Sequence, residues 1–146
     1  MSLKIINSHF KNYEINNSGI SDILNLILKN ENKKIENLNI IIENDHFLKV
    51  LKKKYFNQNV YTDVITFNLE EDNQPIDGEI YVSLPRIIEN AKAYNSKFEE
   101  EFKRIIIHGF LHLVGYNDID KNQKNKMTEL EDYYITLNSK NFIKVL

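Results

Sequence analysis

Two histidines four residues apart, His108 and His112, stand in the longest apolar stretch of the chain, 105–114. On a helix, side chains at i and i+4 share one face, so both imidazoles can reach a single metal ion. Gly115 stops the run and lets the chain turn back. Asp118 follows three residues later, within reach as a third ligand. Two ring nitrogens and one carboxylate suit Zn2+ with a fourth position left for water, the pattern of a catalytic rather than a closed structural site. Asp120 competes for the third position at a spacing that fits less well. The chain has no cysteine, which removes thiolate ligands, thiolate nucleophiles and disulfide-linked partners together. An apolar helix with two histidines also describes core imidazoles hydrogen-bonded to backbone; the glycine and the aspartate beyond them favour metal. Metallopeptidases of the HExxH type carry their glutamate base directly after the first histidine. That position is Gly109 here, so peptidase chemistry is disfavoured.

The elements that must position this group follow from pattern and punctuation. Residues 3–7, 38–43, 62–69 and 78–84 have the β-branched, aromatic character of strands. The last two are joined by an acidic loop at 70–77 and can pair as a hairpin. Apolar spacing of three and four predicts helices over 18–30, capped by Ser18, and over 45–55. Pro85 suits the first turn of a helix over 85–94. Ser96 and Glu99 match a capping box opening a long apolar helix over 97–114. Asp120 caps a last helix reaching about 137. The order is β-α-β-α-β-β-α-α-α. It predicts an α+β fold: one mixed sheet of about four strands packed with helices, the metal site on a long central helix.

The residues around the site carry a resemblance. His108–Asp118, HGFLHLVGYND, resembles the HGxLHLxGYDH signature of the YbeY family of metal-dependent endoribonucleases. Thr62–Phe67 (TDVITF) is similar to that family's TDVLSF strand, and Gly78–Ser83 (GEIYVS) to its GDIxIS strand. Arg104 and the stretch from Met127 to Glu131 also fall where the family has similar residues, and the agreement runs from about Leu38 to Tyr134. The resemblance implies a zincin-like fold with His108 and His112 as ligands and Asp118 where the family usually has histidine. It implies cleavage of single-stranded RNA in maturation of the 3′ end of small-subunit ribosomal RNA and in ribosome quality control, with the small ribosomal subunit as partner. The family commonly has LNxxYR ahead of the TDVLSF strand, where this chain has Leu51-Lys52-Lys53-Lys54-Tyr55-Phe56. The arginine that the family places near its metal is thus Phe56. Lys52, Lys53 and Lys54 are the candidates to supply phosphate contact instead. Glu79 and Arg104 are weaker candidates for a catalytic role.

Bulk properties set the frame. The 146 residues suit one domain over 1–146, and hydrophobic and charged fractions of 42% and 27% suit a soluble globular chain. A net charge of −2 gives no bulk signature of a nucleic-acid binder, so RNA contact must rest on local charge. The amino terminus shows no secretory signal and the apolar run is too short to span a bilayer, so a cytoplasmic protein is expected. Two other functions stay open: a non-catalytic ribosome-assembly factor that uses metal to fix a loop, and a metallopeptidase.

Overall fold

The computed structural model describes residues Met1–Leu146. Its main sheet has four strands, β1 (Ser2–Asn7), β3 (Ile35–Glu43), β4 (Val64–Asn68) and β5 (Ile76–Ser83), in the order β1-β3-β5-β4. The first three are parallel, and β4 pairs antiparallel with β5 as the hairpin expected across the acidic loop. The helices are α1 (Asn17–Glu31), α2 (Asp45–Phe56), α3 (Leu84–Ala93), α4 (Phe98–Leu113) and α5 (Lys121–Thr136). The fold is α+β, as expected. No helix is long and apolar enough to cross a membrane.

Period-2 alternation divides the sheet into two faces. Leu38, Ile40, Ile80 and Val82 point to one face and are essentially fully buried with α1 and α4. Gly109 is where α4 touches this face. A Cβ there would meet methyl groups of Ile80, Val64 and Thr66 at 3.2–3.3 Å, a tight fit in which those methyls would have to give by a few tenths of an ångström. The position that carries the glutamate base in an HExxH protease is thus packed against the sheet here and does not face the cleft. Phe67, Glu79 and Tyr81 point the other way, toward α2.

Several local expectations are corrected. A second sheet pairs β2 (Tyr13–Ile15) with β6 (Ile143–Val145), two three-residue strands too short to show a pattern in the sequence. Asn16, not Ser18, caps α1, accepting from the Gly19 amide at 3.0 Å. The Ser96 capping box does not form: α4 starts after Lys97, with no side-chain cap, and Ser96 Oγ is buried without a partner. The Ser96 amide instead bonds the Ala91 carbonyl at 2.9 Å, closing the turn out of α3. The Asp120 cap is a full capping box with Gln123.

Candidate metal centre

The carboxyl end of α4 is built to reverse the chain. The Gly115 amide bonds His112 O at 3.1 Å and the Tyr116 amide bonds Leu111 O at 3.0 Å, the paired bonds of a Schellman turn. Gly115 supplies the positive φ, 113°, that this turn requires. The turn delivers the Tyr116 carbonyl to His112, where it accepts from Nδ1 at 3.0 Å. The Tyr116 hydroxyl donates to Glu31 Oε2 at 2.8 Å and so ties the turn to the end of α1. That bond, burial and the Glu31 charge push the phenol up to about 12. From there the chain passes Asp118 and enters α5 through the Asp120 cap.

These segments bring His108, His112 and Asp118 together. The two Nε2 atoms are 3.0 Å apart, and Asp118 Oδ2 is 3.4 Å from each. Ligands about 2.05 Å from a tetrahedral zinc sit roughly 3.3 Å from one another, so the spacing fits one ion. The chemistry of the donors fits as well. His108 Nδ1 faces Glu131 Oε2 at 2.7 Å, and His112 Nδ1 faces the Tyr116 carbonyl. Both partners only accept, so each Nδ1 carries the proton and each Nε2 presents a lone pair. Two lone pairs and a carboxylate oxygen at this range repel unless a cation, metal or proton, lies between them. Burial disfavours charge on His108, but Glu131, with Asp118 and Asp63 beyond it, outweighs burial and leaves the imidazole pKa raised.

Glu131 is a supporting residue that the sequence pattern left unassigned. Only 7% exposed, it accepts from His108 with one oxygen and from Arg104 Nη1 with the other, at 2.9 Å. Its signal was a carboxylate in the buried stripe Met127, Glu131, Tyr134 of α5, where an apolar residue belongs. Arg104 spends its guanidinium on Glu131 and Asp132 and does not line the cleft. It holds Glu131, the group that in turn contacts His108. Glu79 lies on the α2 face of β5, beside Tyr81 and Phe67, with the sheet between it and the three-residue group.

The centre opens into a cleft of about 780 Å³ between α4 and the α2–β4 edge of the sheet. Its walls include Lys52, Phe56, Gln58 and the segment from Thr62 to Thr66. Of the three lysines expected to contact phosphate, only Lys52 lines the cleft; Lys53 points to solvent and Lys54 lies over the Tyr55 ring at 5.2 Å. Asp63 is a second carboxyl on the wall, held by the Asn90 amide at 3.2 Å. Burial raises its pKa, against the lowering effect of His108 and of nearby hydrogen bonds.

Fold and centre together define an α+β protein with a three-residue group on one helix and its following loop that could hold a metal ion. A family model described as Endoribonuclease YbeY matches residues 5–138, and the chain belongs to that family. Among its relatives, the Endoribonuclease YbeY of Karelsulcia muelleri (strain GWSS) is 41% identical over 117 residues, covering 80% of this chain and 82% of that protein. The Endoribonuclease YbeY of Amoebophilus asiaticus (strain 5a2) is 40% identical over 119 residues, 82% of this chain and 81% of that one. The solution structure of TM1509 from Thermotoga maritima is similar with a TM-score of 0.62 and 30% identity, covering 91% of this chain and 86% of that one.

Proposed function

We propose that this chain cleaves phosphodiester bonds in single-stranded RNA with one Zn2+ held by His108, His112 and Asp118. Its place would be the cytoplasm, in maturation of the small-subunit ribosomal RNA 3′ end and in ribosome quality control. The observation that carries this is the convergence of His108 Nε2, His112 Nε2 and Asp118 Oδ2, spaced for one ion, at an open cleft with a lysine in its wall. A zinc ion bound there supplies Lewis acidity toward a phosphoryl oxygen and toward water. The protein does the rest by position. Glu131 and the Tyr116 carbonyl fix both imidazoles as donors of lone pairs, and Asp118 adds the negative charge that a neutral pair lacks. Lys52 draws the phosphate backbone into the cleft. Gly109 lets α4 lie close to the sheet, so the ligand face and the β4 edge form opposite walls.

The test is metal content of the purified protein, wild type against Asp118→Ala, followed by cleavage of a single-stranded RNA and of the same sequence as duplex. One equivalent of zinc in the wild type, lost in the variant together with single-strand cleavage, is the expected result. A wild-type protein without metal, or cleavage indifferent to chelator, overturns it. Product ends give a second check, because a 2′,3′-cyclic phosphate means attack by the ribose hydroxyl and not by water.

A further inference from the structure

We propose that Phe56 and Lys52 form a nucleobase-binding subsite in the metal cleft: the ring takes the face of one unpaired base and the ammonium takes that nucleotide's phosphate. The proposal rests on RNA being the substrate and adds where a base is held. Phe56 is the last residue of α2 and is 44% exposed, a large apolar ring left at the wall of the cleft that holds the ligands. It is not a loose residue. Asn57, at φ 54°, ends the helix and returns its amide to Lys53 O at 3.1 Å, so the backbone at Phe56 is fixed. Phe67 backs the ring at 6.1 Å between centroids and 22° between planes. Phe67 is itself held edge-on by Tyr55 at 5.2 Å and by Tyr81 at 6.0 Å. A ring held this way offers a stacking face at little further entropy cost.

Charge at the ring points to the same occupant. Lys52, one helical turn before Phe56, holds its Nζ over the ring at 4.8 Å from the centroid, and swings off it toward the phosphate when a base takes that face. No carboxylate lies within 4.0 Å of Lys52 or Lys53, so this end of α2 keeps its positive charge. A ring beside an unpaired ammonium matches the alternation of base and phosphate along a single strand. Duplex bases have both faces covered by their neighbours and cannot use such a platform. The subsite therefore selects single strands without reading sequence.

The chain contains no tryptophan, so Phe56→Trp places the only indole of the protein at the subsite. The probes are a short single-stranded RNA and the same strand with abasic positions, bound to wild type, Phe56→Trp and Phe56→Leu in a catalytically silent metal such as Ca2+ or in chelator. Phe56→Leu keeps an apolar side chain but removes the ring, and is expected to weaken binding of the intact strand about ten-fold while hardly changing binding of the abasic one. The Phe56→Trp emission is expected to be quenched by the intact strand and not by the abasic one. Equal losses on both strands, no loss at all, or an indole indifferent to bases overturns the subsite. If the wild type binds neither strand, RNA as substrate fails, and the subsite with it; if the wild type binds both equally, only the subsite fails.

Discussion

Replacing Glu131 by glutamine changes one atom of a buried side chain and removes half of what that side chain does. The carboxylate accepts from His108 Nδ1 at 2.7 Å and from Arg104 Nη1 at 2.9 Å. A carboxamide has one acceptor and one donor. If its oxygen faces His108, its NH2 confronts the guanidinium; if it faces Arg104, the NH2 confronts the imidazole N–H, and His108 must turn or switch tautomer. Loss of such an orienting partner typically weakens metal binding by about 10–100-fold, or roughly 1.4–2.7 kcal/mol. At free zinc 100 times the wild-type Kd, the metal adds about 2.7 kcal/mol to stability, of which a 100-fold weaker variant keeps about 0.4 kcal/mol and a ten-fold weaker one about 1.4 kcal/mol. For a chain of this size that is a metal-induced rise in Tm smaller by roughly 3–9 °C. The assay is thermal unfolding of wild type and Glu131→Gln, each with zinc and with chelator, alongside a zinc titration against a competing chelator. The difference of differences removes any loss that is merely structural. Asp132→Asn is the control, since Asp132 contacts the same arginine from a largely exposed position and does not touch His108. An unchanged metal-induced shift in Glu131→Gln refutes the argument that Glu131 sets the lone pair on His108.

The metal-free and zinc-loaded proteins are expected to answer pH with opposite signs. His108 has its folded pKa raised above 6.5, so without metal its contribution is fully present below that value and is lost as pH rises through the folded pKa. Tm in chelator is therefore higher at pH 6 than at pH 8, with zinc the order reverses because protons displace the ion, and His108→Ala flattens the metal-free dependence. Gly115→Ala meets no atom within 4 Å yet must hold a φ of 113°. It is expected to cost about 1–2 kcal/mol in thermal unfolding and also to weaken zinc binding, because the Tyr116 carbonyl moves with the turn. Phe56→Arg keeps a stacking plane and adds a charge, so single-stranded RNA binding is expected to tighten at low salt, with the slope of log K against log salt steeper by about one.

Much of the site was legible because helical period and chain reversal are local properties. His108 and His112 share a face by spacing alone, and Gly115 marks the reversal that brings Asp118 back. The strands and helices of the main sheet followed from alternation and apolar spacing. Four features were not legible, each for a physical reason. The β2 and β6 strands are stabilised by each other across most of the chain, with the Asn16 amide bonded to Phe142 O at 2.8 Å, and carry no local signal. Ser96 has the right letters for a capping box, but its backbone is already committed to closing the preceding turn. Asparagine, abundant enough to read as compositional bias, occupies every non-glycine position of positive φ: Asn32, Asn57, Asn73 and Asn95. Two of these end α1 and α2, so in a glycine-poor chain asparagine does the work of the helix stop. The strand motif around Glu79 leaves open which face its side chain takes, and only the pairing register shows that it leaves by the face of β5 turned away from His108 and His112.

The cleft has two walls of different origin. The ligand wall, from Arg104 to Asp132, is one continuous stretch in which His108, His112 and Asp118 depend on Tyr116, Glu131 and Arg104 for their orientation. The facing wall comes from α2 and β4, and none of its side chains bonds a ligand. A substitution on the first wall propagates through a chain of hydrogen bonds, whereas one on the second reaches the ligands only through the charge of Asp63 or the packing of Val64 and Thr66 on Gly109. The two walls can therefore diverge at different rates. Phe56 makes no hydrogen bond to His108, His112 or Asp118, so the residue at that position can change while the contacts that hold the three-residue group stay as they are.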